Sequence, residues 1–231
     1  SEPALVQAIR SGAGGGSGAD RASALRAAVA FGCALSDPER EALELAIRDA
    51  VTDLGSAGPE IGFVAAGLGH VALYLGRTDD AIALLTAGVD GLAADGTPAE
   101  QAIAGIDLAA ALRVAGRLPD AHRALAACPA GSADVLRGYE QGRLAVTEGR
   151  AAEATVALER ALVGASEPWP RLGILRWLVR ARAAAGDPAG AAGWSAQLER
   201  EARAVIGPAR PAALALIAEA GRPVAPTDLV Y

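Results

Sequence analysis

Between residues 59 and 205 the chain repeats one motif of apolar and polar positions four times. An apolar run with helical spacing meets a glycine turn, and a second helical run follows. The turns are Leu75-Gly76-Arg77, Ala115-Gly116-Arg117, Glu148-Gly149-Arg150 and Ala185-Gly186-Asp187. Aligning on the glycine puts Ala81, Ala121, Ala154 and Ala191 five residues later, and Leu85, Leu125, Leu158 and Ser195 nine later. Twelve later stand Gly88, Cys128, Ala161 and Leu198; seven earlier stand Gly69, Ala109, Gly142 and Val179. Small residues at these places let two antiparallel helices pack closely, with leucine filling the seam. The pattern predicts buried alanines at 81, 121 and 154, and a left-handed glycine closing each first helix.

The same reading extends beyond the four units. Asp20 to Leu35 and Pro38 to Leu54 form one more helix pair, with Ser36 or Asp37 as N-cap, Pro38 at the first helical position and Ala42, Leu43, Ala46, Ile47 and Ala50 as apolar stripe. Pro211 to Ala220 is a terminal helix covering the last pair, and Pro223-Val224-Ala225-Pro226 cannot continue it. Three parts result: an N-terminal helix and glycine-rich linker over 1–19, a helical repeat domain over 20–220, and a tail over 221–231. The run Ser11 to Gly18 lacks the Gly-Lys-Ser/Thr of a phosphate loop, and Ala19-Asp20 follow it. It is expected to be a mobile linker whose deletion leaves the array stable.

These residues resemble the tetratricopeptide repeat (TPR): a small residue, a glycine turn, an alanine and a large apolar residue, at turn spacings of 40, 33 and 37 residues against a family period of 34. The resemblance covers about residues 59 to 205. It departs from the family where larger aromatic positions carry alanine or leucine, and most in the fourth unit, with Ser195 and Asp187-Pro188. It implies an all-α fold, a right-handed α-solenoid of about five antiparallel helix pairs plus a terminal capping helix.

The resemblance also implies a concave face, lined by the first helix of each pair thirteen, ten, six, three and two residues before the turn glycine. Those positions hold Phe63, Ala66, His70, Leu73 and Tyr74 in the first unit and Ile103, Ile106, Ala110, Arg113 and Val114 in the second. The third has Leu136, Tyr139, Arg143, Val146 and Thr147, and the fourth Gly173, Arg176, Arg180, Ala183 and Ala184. The candidate groove is Phe63, His70, Tyr74, Arg113, Tyr139, Arg143, Arg176 and Arg180. Arginine forks there suit carboxylate or phosphate, and tyrosines give rigid contact area. The alternative is a solvated face of arginines paired with nearby acids. In either case Arg143 and Arg180 should tolerate reversal to glutamate without loss of fold.

Composition narrows the function. The formal charge of −6 opposes nonspecific nucleic-acid binding. Every basic residue other than the two histidines is arginine; there is no lysine, which reads as a coding bias. Ser1-Glu2-Pro3 does not open an export signal, and the most apolar stretch, Ile61 to Leu75, is interrupted by His70 and falls short of the ~20 residues a span needs. Cys33 and Cys128 form no CxxC motif; reduced thiols and a cytoplasmic location are expected.

Candidate chemistry is sparse. Asp79-Asp80 and Asp53 lack a third carboxylate at helical spacing, and the pair begins a helix, where acids complement the dipole. With only His70 and His122, neither a histidine-rich zinc site nor a clustered Cys/His site of a lanthionine cyclase-like toroid is indicated. The expectation is no cofactor, no metal and no enzyme. Trp169, Trp177 and Trp194 are read as closing the core at the C-terminal end, or else as a docking anchor. The leading function is a protein-interaction scaffold binding a protein or acidic peptide on its concave face, without nucleic acid or membrane and with a homo-oligomer allowed. The alternative is the regulatory repeat domain of a larger bacterial transcriptional regulator, of the LuxR or antibiotic-regulator type, requiring a longer chain.

Overall fold

The computed structural model describes residues 59–131, 133–206 and 210–221, together with residues 41, 42, 44 and 45. The pair expected over 20–54, its caps, Cys33, the glycine run and the tail beyond residue 221 lie outside the described residues, but for those four positions.

Among the described residues the elements run α1 Pro59–Tyr74, α2 Thr78–Asp95, α3 Pro98–Val114, α4 Leu118–Ala127, α5 Asp134–Thr147, α6 Ala151–Gly164, α7 Pro168–Ala184, α8 Pro188–Ala204 and α9 Arg210–Ala220, with no strand. None of these helices is long and apolar enough to cross a membrane. Consecutive helices pack as pairs, and each first helix also packs on both helices of the unit before it. The chain is an all-α solenoid. The terminal helix α9 packs on α7 and α8 as α7 packs on α5 and α6. It therefore occupies the first-helix place of a further unit.

The turns share one geometry. Gly76, Gly116, Gly149 and Gly186 have φ of 76°, 74°, 76° and 74°, a region a side chain at Cβ disfavours. The glycine N–H donates to the carbonyl three residues back and the next N–H to the one five back, as in Gly149 to Val146 at 3.0 Å and Arg150 to Ala145 at 2.8 Å. That satisfies carbonyls the helix end would leave bare. The residue after the glycine then starts the second helix. Arg77 pairs with Asp80, Arg117 with Asp120, and Arg150 with Glu153. In the fourth unit Asp187 instead caps the Gly190 N–H at 2.8 Å. Asp80 is thus engaged by a turn arginine.

Close approach within each pair depends on position. Ala81, Ala121 and Ala154 are fully buried, as are Leu85 and Leu158. A Cβ on Gly69 would lie 2.5 Å from Leu85 Cγ, and one on Gly88 within 2.8 Å of the Ala66 backbone. Cys128 is a free, buried thiol bonded to the Ala124 carbonyl at 3.2 Å; burial pushes its pKa up, and Arg137 opposes this.

Candidate functional site

The first helices α1, α3, α5 and α7 bring the candidate residues together in two groups. In the first unit Phe63, His70 and Tyr74 are partly buried, and His70 Nδ1 meets Asp107 Oδ2 of the next unit at 3.0 Å. The other five candidates, Arg113, Tyr139, Arg143, Arg176 and Arg180, converge around one side chain, Trp177, which is fully buried. The guanidinium carbons of Arg180, Arg143, Arg113 and Arg176 lie 5.0, 5.4, 5.8 and 6.0 Å from the Trp177 ring centroid. Arg143 also stands 5.3 Å over the Tyr139 ring. These are cation–π distances.

The alternative of a solvated arginine face is corrected here. Arg113 and Arg143 are 2% exposed, Arg176 1% and Arg180 3%. Their long stems cross the seam between stacked first helices, where the neighbouring unit covers them. Reversing Arg143 and Arg180 to glutamate would bury anions beside Trp177, so the fold would not survive it as an open groove would.

Carboxylates come from two helices. Glu140 is shared: Oε1 accepts from Arg113 Nε at 2.6 Å, and Oε2 pairs with Arg143 Nη1 at 3.0 Å. Glu219 of α9 pairs with Arg176 at 2.5 Å, and its backbone carbonyl accepts from Arg180 at 3.0 Å. Arg143, Arg176 and Arg180 make further interactions besides these. Burial lowers the Arg113 pKa, and the neighbouring Arg143 charge lowers it further, while Glu140 opposes both. Arg113 Nη2, Tyr139 Oη and Trp177 Nε1 are buried and without a hydrogen-bond partner.

A cavity of about 20 Å³, room for a single water, lies beside this cluster. It is lined by Ile103, Ile106, Asp107 and Ala110 of α3 and by Leu136, Tyr139, Glu140 and Arg143 of α5. In both helices these are the residues thirteen, ten, nine and six before the turn glycine. The ninth position is the one sequence reasoning omitted. It holds Asp107, Glu140 and Trp177 in successive units, the partners of His70, of Arg113 and Arg143, and of all four arginines. Three polar or aromatic residues recurring at one register position among alanines and leucines were the available signal. Glu219 carried none.

The three tryptophans separate. Trp177 centres the cluster, Trp194 packs partly buried against the core, and Trp169 is exposed. Among the described residues no three His, Cys, Asp or Glu side chains are grouped to hold a metal ion.

No family model matches the chain and no curated protein matches it. Among solved structures it is similar to a Podosopora anserina protein of kinesin light chain type with nearly identical TPR-like repeats, at 18% identity and a TM-score of 0.56, over 78% of this chain and 92% of that one. The fold is a TPR-like helical repeat.

Proposed function

We propose that the chain is an interaction module that docks an acidic segment of a protein partner on its concave face, across the α3/α5 seam that the small cavity marks. The observation that supports this most is the cluster beneath that cavity. Four guanidiniums and one indole are gathered where a hydrophobic seam would have stacked the helices at lower desolvation cost. The unpaired Arg113 Nη2 and Tyr139 Oη are donors for an entering carboxylate, and the exposed Ile103 gives its apolar neighbour a contact at the lip. Glu219 neutralises Arg176 within the same cluster, so removing its charge leaves the cluster more positive toward an approaching carboxylate.

The test is fluorescence anisotropy of the whole chain with a labelled glutamate-rich decapeptide, at low and high salt. The wild type should bind at low salt and release as salt screens the contact. Glu219→Gln should tighten binding, and Arg113→Gln, checked for helicity by circular dichroism, should weaken it. Binding equal to that of a lysine-rich control, or indifference to Glu219→Gln, would overturn the reading. Service as the sensor of a larger transcriptional regulator would use the same face. Domains adjoining this one in the full reading frame decide that question.

A further inference from the structure

A second surface lies outside the arginine cluster, on the second helix of the third unit. There α5 and α6 form a groove of about 700 Å³ lined by Val135, Gly138, Ala157, Ala161 and Gly164, with Asp134, Glu153 and Arg160 among the charged residues around it. The two helices approach closely at its floor, where a Cβ on Gly138 would lie 3.2 Å from Ala161 Cβ. At the register positions of Gly138 and Gln141 the fourth unit holds the larger Leu175 and Leu178.

Beside the groove runs an exposed ridge along α6, of Glu153, Val156, Arg160 and Val163. The steps of three, four and three residues are the a/d spacing of a helix–helix seam. Val156 is 57% exposed and Val163 89%. Arg160 is exposed and forms no ion pair among the described residues. Glu153, one heptad earlier, is held only by the turn arginine Arg150 at the surface.

We infer that this face binds a second copy of the chain, with the two α6 helices antiparallel about a two-fold axis. The ridge is self-complementary under that operation. Each Arg160 comes beside the partner's Val156 and within one turn of its Glu153, and each Val163 comes opposite the partner's Glu153 stem. The small floor of Gly138, Ala157 and Ala161 lets the facing helix sink between α5 and α6, as small residues do at close helix contacts. An isologous contact of this kind closes at two copies. The opposite charges of Glu153 and Arg160 favour antiparallel over parallel pairing, because parallel pairing would set Arg160 against Arg160.

Sedimentation equilibrium of the full chain over a wide concentration range tests this. The wild type should show a monomer–dimer equilibrium. Val156→Asp and Arg160→Glu should each weaken it at least about tenfold, a change of ~1.4 kcal/mol, without altering helicity. The charge-exchanged Glu153→Arg/Arg160→Glu double variant should regain dimerisation, since both intermolecular contacts are restored with their signs swapped. A chain that stays monomeric at every concentration overturns the proposal. So does a dimer indifferent to Val156→Asp and Arg160→Glu, or one that the double variant fails to restore. A monomer that instead takes up an unrelated helical peptide in this groove also overturns it, and assigns the surface to a different partner.

Discussion

A Cβ on Gly142 would lie 2.4 Å from Leu158 Cγ; the third helix pair closes only because position 142 carries no side chain. Gly69 and Leu85 repeat the relation in the first pair. The same register places Ala109 opposite Leu125 and Val179 opposite Ser195. In the fourth unit the first helix brings the larger Val179, and the second brings the smaller Ser195. Ser195, the strongest departure from the repeat, is therefore the counterpart of Val179.

The first prediction follows from that exchange. Gly142→Val should overpack the seam and destabilise the chain by ~1–3 kcal/mol, read as a lowered thermal midpoint by circular dichroism. Adding Leu158→Ser recreates the fourth unit's pair, and the double variant should melt above the single one. Loss that simply adds would mean the two positions do not share the space.

The alanines offer a second. Ala121 is fully buried between α3 and α4, so Ala121→Leu should cost ~1–3 kcal/mol, while the exposed Ala152→Leu should stay within ~0.5 kcal/mol of wild type. Equal melting of both variants would show that the pair opens to accept the larger side chain.

The fold was legible because its determinants are local and periodic. Gly76, Gly116, Gly149 and Gly186 mark the turns, and alanine five residues later marks the contact. The candidate face was legible in position but not in exposure. Arg113, Arg143, Arg176 and Arg180 were placed correctly on first helices, yet a register of single helices does not show that the next unit covers them. Arginine's default reading is a solvated charge, and only the neighbouring Trp177 and Glu140, one register step away, report otherwise. Glu219 reaches Arg176 across 43 residues, a pairing no periodicity carries. The groove between α5 and α6 was likewise hidden, since it follows from how two helices pack and not from their periodicity.

Acid should loosen the fourth unit. Glu201 accepts from Arg171 Nε at 3.0 Å and Nη2 at 2.8 Å, tying α8 to α7. The Arg171 hydrogen bonds hold the Glu201 carboxyl below its ordinary 4.5, against the opposing effect of burial. A depressed folded pKa stabilises above the unfolded value and loses that contribution as pH falls through the folded one. Wild type should therefore exceed Glu201→Gln by ~1 kcal/mol at pH 7, and the gap should shrink in urea melts below pH 4.5. A gap unchanged at acid pH would assign the effect to packing.

The sharpest prediction concerns Glu140, the carboxylate that two buried guanidiniums share. Its two oxygens separate Arg113 from Arg143, which otherwise repel at close range around Trp177. Glu140→Gln removes the anion and leaves both cations in place, and breaking a buried pair from one side costs ~3–5 kcal/mol. Removing charge from both sides should cost less: Glu140→Gln with Arg113→Met keeps the volume and deletes one cation, so the double variant should recover part of the loss. Trp177 sits against the cluster, and its fluorescence should change in Glu140→Gln before the far-ultraviolet helical signal does. If Glu140→Gln melts like wild type, the guanidiniums are neutralised by other contacts, and Glu140 does not hold the cluster together. If the double variant is as unstable as the two single losses added, the effect lies in packing around Arg113 and not in unbalanced charge.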